Sequence, residues 1–220
     1  MSDRAVRVAG AAGIIFVVLL LIGVVGGGSM PAVDDPVDKI RAYYLDHRGS
    51  ILFTNTVGLL GIPFVLWFAV VLRDLFRGDR LTEALGTASL AGLLVTAPMA
   101  MVGGALQAAP VFVSGAAKNF GDDSLRIMFI GQSLVFPATA AGITVFVLAA
   151  GLAVRRTSAL PSYTMWLAFL AVLGNVITML STLSSGASGL GFLGVGTFAL
   201  FILVTGITMA AGKAAAPAVE

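Results

Sequence analysis

The chain has 220 residues, of which 58% are hydrophobic and only 11% are charged, against about 25% charged residues in a typical soluble domain. Its 13 basic and 11 acidic residues leave a net charge of +2 and form no clustered basic face, which argues against a nucleic-acid partner. Without cysteine, the chain has no disulfide bond, no thiolate nucleophile and no thiolate metal ligand.

Five long uncharged runs separate the charged residues. A helix that spans a bilayer needs about 20 apolar residues, and charge near the bilayer centre is costly. The last run, 157–212, is long enough to fold back on itself, with a turn at the Ser/Gly-rich segment 181–191. The pattern predicts an all-α, polytopic transmembrane helix bundle that forms one membrane domain over residues 1–220. The six predicted spans are 8–28, 50–72, 84–110, 127–153, 162–182 and 190–211.

The first predicted span allows a second interpretation. It follows Arg4 and Arg7 and ends in small residues, a pattern that also fits a cleavable signal peptide. The uncharged run nevertheless continues to Val33, which makes it long enough to cross a bilayer. We therefore expect a retained first helix, whereas cleavage would leave five helices and an outside N-terminus.

Basic residues divide unequally between the two sides of the predicted bundle. The side that includes both termini holds eight of them, and the other side holds five. Because short cytoplasmic loops carry an excess of lysine and arginine, we predict that both termini are cytoplasmic. The eight residues are Arg4, Arg7, Arg73, Arg77, Arg80, Arg155, Arg156 and Lys213.

The loop between the first two spans is predicted to contain a short helix over residues 35–48. Asp35 can cap the N-terminus of this helix, and Pro36 suits its first helical position. Apolar residues follow at helical spacing, so the helix is expected to lie on the outer membrane surface with its tyrosines at headgroup level. Its candidate outer-surface polar cluster is Tyr43, Tyr44, Asp46 and His47.

Three of the predicted spans contain an internal proline, at Pro63, Pro98 and Pro137. Proline removes a backbone hydrogen bond and kinks a helix, so these spans could be hinged around a cavity. Proline is also ordinarily enriched in membrane helices, and we favour this second explanation.

The third predicted span carries a small residue at every fourth position. Such rows allow helix backbones to approach closely, which favours packing inside the bundle over a contact between two copies of the chain. The row comprises Ala84, Ala88, Gly92, Thr96, Ala100, Gly104 and Ala108.

Polar side chains within the predicted spans are few, and four amides are expected near the outer ends of spans two to five. They are candidates for a ligand-binding site, although amides in membrane helices more often hydrogen-bond between helices, at about 0.6 kcal/mol on average. The four amides are Asn55, Gln107, Gln132 and Asn175.

Residues that could perform chemistry are missing from the spans. None of the six contains Asp, Glu, His, Lys or Arg, so we predict neither a proton relay nor a voltage sensor. His47 is the only histidine, which excludes the paired-histidine motif of metalloproteases. The aspartates near the outer helix match no known loop motif for Ca²⁺, and Asp122 and Asp123 are better explained as caps of span four. We predict no catalytic residue, metal or cofactor.

Four short motifs resemble those of an uncharacterised family of bacterial six-helix membrane proteins, grouped only as a domain of unknown function. They are Arg7–Gly10, Ile40–Arg48, Val71–Leu75, and Ser158–Pro161 leading into Trp166. The resemblance covers nearly the whole chain. It implies six helices in a bacterial cell membrane and supplies no activity, substrate or catalytic residue.

The sequence favours a binding or accessory protein that is not an enzyme. It would engage lipid, or another membrane protein, through the bundle surface and the outer helix. The alternative is a small transporter or channel for an uncharged or weakly polar solute, which would use the proline-containing helices.

Overall fold

A computed structural model describes residues 2–26, 30–113, 115–183 and 190–214. These residues form α-helices joined by short turns, with no strand among them. Residues 184–189 of the turn predicted at 181–191, and the last two residues of the first predicted span, lie outside the described residues. The helices are α1 (Asp3–Gly26), α2 (Val37–Asp46), α3 (Arg48–Leu75), α4 (Arg80–Phe112), α5 (Ala116–Asn119), α6 (Asp122–Thr157), α7 (Ser162–Leu180, extended by a 3₁₀ turn over Ser181–Leu183) and α8 (Phe192–Ala210).

Six of these helices are long and apolar enough to cross a membrane, namely α1, α3, α4, α6, α7 and α8. The structure thus confirms the predicted all-α bundle of six such helices. The longest, α6, has 36 residues, or roughly 54 Å at 1.5 Å per residue, against a hydrocarbon core of about 30 Å. Its ends are charged, with Asp122 and Asp123 in the first turn and Arg155 and Arg156 in the last. Both pairs complement the helix dipole, so the helix continues beyond its apolar part.

The six long helices pack as a closed ring. Each contacts the next long helix in the chain, and α8 returns to contact α1. Short connections favour this neighbour-to-neighbour order. The closing contact depends on glycine, because a Cβ atom on Gly10 would lie 2.5 Å from both the Gly206 carbonyl oxygen and the Ala210 amide nitrogen.

Phenylalanines from three helices meet inside the ring. The Phe146 ring of α6 lies 6.0 Å from Phe198 and 5.9 Å from Phe201 of α8, edge to face in both cases. Phe198 also makes an edge-on contact at 6.0 Å with Phe16 of α1. Such edge-to-face pairs add about 0.5–1.5 kcal/mol beyond their buried area. The centre of the bundle is therefore filled with apolar side chains at this level.

The α4–α6 contact uses part of the predicted row of small residues. A Cβ atom on Gly92 would lie 2.5 Å from the Gly142 carbonyl oxygen of α6, and Thr96 is buried in the same interface, where its hydroxyl donates to the Gly92 carbonyl at 2.9 Å. Ala84 and Ala100 are exposed, because each step of four residues drifts by about 40° around a helix. Packing inside the bundle is confirmed for the buried part of the row.

The first and last residues that the structure describes lie at one end of the bundle, which we call the terminal end. The Arg7 guanidinium is next to Gly212. Arg156, in the last turn of α6, donates to Asp79, in the α3–α4 turn, at 2.9 Å. Asp79 also accepts from the Thr82 amide at 2.8 Å and so caps α4. Its bonds to Thr82, and then to Arg156, lower the pKa of this carboxyl to about 2. Helix α2 lies at the opposite end, the α2 end.

Candidate functional site

Helix α2 is packed into the bundle across the ends of α3, α4 and α6. Ile40, Tyr43 and Tyr44 are buried, and the Tyr44 ring meets Phe129 of α6 edge-on at 6.3 Å. The prediction that Tyr43 and Tyr44 belong to an outer-surface cluster is wrong, because both side chains are buried in the bundle. Helical spacing identifies the apolar face of a helix but not whether lipid or protein covers it. Burial raises the pKa of both phenols.

The start and end of α2 also differ from the prediction. The helix begins at Val37, and Pro36 occupies the N-cap position instead of Asp35. Asp35 accepts a hydrogen bond from the Ala32 amide at 2.7 Å and pairs with Lys39 at 2.7 Å. The bond to Lys39 is the main cause that lowers the pKa of Asp35. Only His47 separates α2 from α3.

Two arginines bind α2 and the start of α3 to the end of α4 and to the segment that connects α4 with α6. Arg41 donates to the carbonyls of Ala117 and Phe120, the latter at 3.0 Å, and pairs with Asp122 at 2.6 Å. Arg48 is the second such residue. Its Nε donates to the Val111 carbonyl at 2.9 Å, and its Nη2 donates to the Phe112 carbonyl at 3.3 Å. A cation suits this position, because the last carbonyls of a helix lack partners and carry partial negative charge.

A cavity of about 270 Å³ opens beside α2. Its lining contains two cationic side chains, Arg48 and Lys118, and no acidic one. Arg48 is half-buried, whereas Lys118 is exposed. We call this cavity the cationic cleft, and its lining consists of Tyr44, Leu45, Arg48, Pro110, Val111, Val113, Gly115, Ala117 and Lys118.

Three of the four predicted amides lie in the sector formed by α3, α4 and α6. Gln107 of α4 shares a hydrogen bond with Tyr43. Asn55 of α3 points at Gly104 of α4, one turn from Gln107. Gln132 of α6 is buried one turn from Phe129, against which Tyr44 packs. The topology therefore brings these three amides to the same region beneath α2.

Asn175 belongs to a different interface. It is buried on α7, where its amide donates to the Ala171 carbonyl at 2.8 Å and to the Gly194 carbonyl of α8 at 3.4 Å. Thr178, one turn further along, donates to the Gly191 carbonyl at 3.0 Å. Asn175 thus hydrogen-bonds between two helices, which is the alternative to a ligand-binding role given in the sequence analysis.

Gln132 and Tyr44 have buried polar atoms without partners. Both amide atoms of Gln132 and the hydroxyl of Tyr44 make no hydrogen bond with any described residue. Leaving such a group unsatisfied costs about 1–3 kcal/mol. The sector beneath α2 therefore keeps hydrogen-bonding capacity that the described part of the protein does not use.

The remaining members of the predicted surface cluster, Asp46 and His47, are more accessible than the two tyrosines. Asp46 is exposed, and the His47 ring stacks on Tyr43 with ring centres 5.0 Å apart. The described residues contain no group of three acidic or histidine side chains that could hold a metal ion. Asp35 and Asp122 are each paired with a basic residue instead.

Comparisons with protein-family models, with curated proteins and with solved structures find no match to this chain. By the length and composition of its helices, the fold is that of an all-α, multi-pass membrane protein. The resemblance to the bacterial six-helix family stays a prediction.

Proposed function

We propose that this protein is a non-enzymatic binding or accessory protein of a bacterial cell membrane that engages lipid at its α2 end. The cationic cleft is the observation that carries this proposal. It is a concave site beside exposed apolar side chains at the end of a membrane-length helix, and its two charged lining residues are both basic. The spans supply no acid or base for catalysis.

The fixed position of α2 supports binding over passage of a solute. Arg41 and two buried tyrosines hold α2 against the bundle. The phenylalanine contacts among α1, α6 and α8 fill the middle of the ring. A solute crossing along the bundle axis would have to displace both features, whereas a ligand entering from the side at the α2 end displaces neither.

The proposed orientation places the terminal end in the cytoplasm and α2 outside. The terminal end carries eight of the 13 basic residues, and an excess of basic residues in short loops favours the cytoplasmic side.

Cysteine labelling tests this orientation without background, because the natural chain has no cysteine. In intact cells, Gly78→Cys and Thr157→Cys at the terminal end are expected to be shielded from an impermeant thiol reagent. Ala42→Cys and Gly121→Cys, both exposed at the α2 end, are expected to be labelled. All four should react after the membrane is permeabilised, which controls for local accessibility. Labelling of the first pair alone in intact cells would mean that the orientation is inverted.

One observation favours the second candidate, a transporter or channel for an uncharged or weakly polar solute. Gln132 and Tyr44 bury polar atoms without partners among the described residues, and a polar solute could satisfy them. Pro63, Pro98 and Pro137 lie inside α3, α4 and α6, which form this sector. Proline weakens the local helix and allows it to bend.

Purified protein in liposomes distinguishes the two candidates. We expect no flux of small polar solutes such as glycerol or urea above that of protein-free vesicles. Flux that disappears on replacing Gln132 by leucine, with the protein still folded, would reject the binding role and establish the transporter. Identification of a stoichiometric protein partner after mild detergent extraction would instead establish the accessory role.

A further inference from the structure

We infer that the cationic cleft binds the phosphate of an anionic membrane phospholipid, an assignment that rests on the lipid-binding function proposed above. The charge of the cleft is the first reason. Arg48 uses Nε and Nη2 to cap α4, and its Nη1 makes no hydrogen bond among the described residues. Lys118 forms no ion pair within the same part of the chain. Two cations with free donors form a site for an anion.

Neighbouring acidic groups do not neutralise these cations. Asp122 is bound to Arg41 at 2.6 Å, and Asp35 is bound to Lys39 at 2.7 Å. Asp46 is exposed and does not line the cleft. The positive charge of Arg48 and Lys118 is thus available to a ligand in the cleft.

The position of the cleft at the end of a membrane-length helix points to lipid as the source of the anion. The cleft lies where α4, a helix of membrane-spanning length, ends at Phe112. Phe112 is 73% exposed, and the cleft-lining residue Val113 is 65% exposed. Apolar side chains this exposed at the end of a span are covered by acyl chains, and the adjacent cations lie where lipid phosphates are found.

The cleft is large enough for the headgroup of a phospholipid but too small for the whole lipid molecule. Pockets that enclose a drug-sized molecule have volumes of about 300–1,000 Å³, and this cleft is smaller, at about 270 Å³. A phosphate with its polar substituent can therefore enter the cleft. The acyl chains of the same molecule would remain in the bilayer, against Phe112 and Val113.

Lipid-dependent melting of the full-length protein tests this assignment. Protein in mild detergent would be titrated with short-chain phosphatidylglycerol, with short-chain phosphatidylcholine and with inorganic phosphate, and the melting temperature would give an apparent Kd for each. We expect phosphatidylglycerol to bind more tightly than phosphatidylcholine and inorganic phosphate to have no effect. Lys118→Gln is expected to weaken phosphatidylglycerol binding about fivefold, because one basic residue near a lipid surface contributes about 1 kcal/mol.

Three variants make the test specific. Lys118 is exposed and forms no ion pair among the described residues, so Lys118→Gln should fold normally, and Lys118→Arg should restore binding. Arg126→Gln is the matched control, since it removes another basic residue at the α2 end that forms no ion pair among the described residues and lies outside the cleft. It should leave phosphatidylglycerol binding unchanged.

The possible failures are distinguishable. Equal binding of the two lipids, or an equal loss in the Arg126 and Lys118 variants, would overturn the phosphate site while leaving lipid binding by the protein intact. Inorganic phosphate that binds as tightly as phosphatidylglycerol would overturn the lipid assignment in favour of a soluble anion. Solute flux in liposomes would overturn the proposed function itself.

Discussion

Replacing Gly92 by leucine is expected to destabilise the bundle more than any substitution on its surface. A Cβ atom at this position would lie 2.5 Å from the Gly142 carbonyl oxygen and 2.6 Å from the Phe146 amide nitrogen. Both atoms belong to the backbone of α6, so they cannot move aside as a flexible side chain could. We expect a loss at or above the upper end of the about 1–3 kcal/mol range of overpacked cores, measured as a lower melting temperature in detergent.

Gly58→Leu is the matched control for this experiment. Gly58 also lies inside a long helix, but a Cβ atom there would meet nothing within 4 Å, so leucine should be tolerated. Gly104→Leu is expected to fall between the two, because its obstacle is the Asn55 side chain, which can rotate away. Equal melting temperatures for the Gly92 and Gly58 variants would show that α4 and α6 are not in backbone contact.

Gln132→Leu and Asn175→Leu are expected to change stability in opposite directions. Leucine at position 132 removes two buried amide atoms that have no partner among the described residues. Relieving such unsatisfied groups should stabilise the protein by up to about 1–3 kcal/mol. Leucine at position 175 removes the hydrogen bond from Asn175 to the Gly194 carbonyl of α8, which should cost about 1 kcal/mol or less. Detergent melting of both variants beside the natural protein measures both effects.

A destabilised Gln132→Leu variant would show that the amide is bonded in the folded protein, through water or a ligand. Lipid binding and solute flux measured on the same preparations separate these cases. Loss of either activity from a Gln132 variant that melts as high as the natural protein would assign the residue to a site. Loss of activity only in proportion to folded protein would assign it to structure.

The number and positions of the long helices could be predicted because both depend mainly on the free-energy cost of placing charge in the bilayer. Charged groups are excluded from the bilayer, so the uncharged runs mark the spans. The residues at which the helices begin and end could not be predicted in this way. The span predicted at 84–110 is part of a helix that extends from Arg80 to Phe112, because Asp79 caps one end and Arg48 satisfies carbonyls at the other.

The candidate site was only partly predictable from the sequence. Topology alone places Asn55, Gln107 and Gln132 at a similar depth, but the partner of Asn175 depends on which helix faces which. The cationic cleft could not be predicted, because Arg48 bonds to backbone carbonyls more than 60 positions away. Backbone carbonyls occur at every residue, so no sequence pattern identifies which of them an arginine will reach.

The glycine contact between α1 and α8 has a consequence for how the protein is made. Helix α1 meets its second neighbour only after α8 has been synthesised, since Gly10 packs on Gly206. Chains emerge from the ribosome at about 5–20 residues per second, so this face of α1 waits roughly ten seconds or longer for its partner. During that time the other long helices form an open arc, and lipid or an insertion factor must cover the glycine face of α1. The ring is therefore completed only after α8 has been synthesised, and a ribosome that stalls before α8 leaves α1 and α7 each without one neighbour.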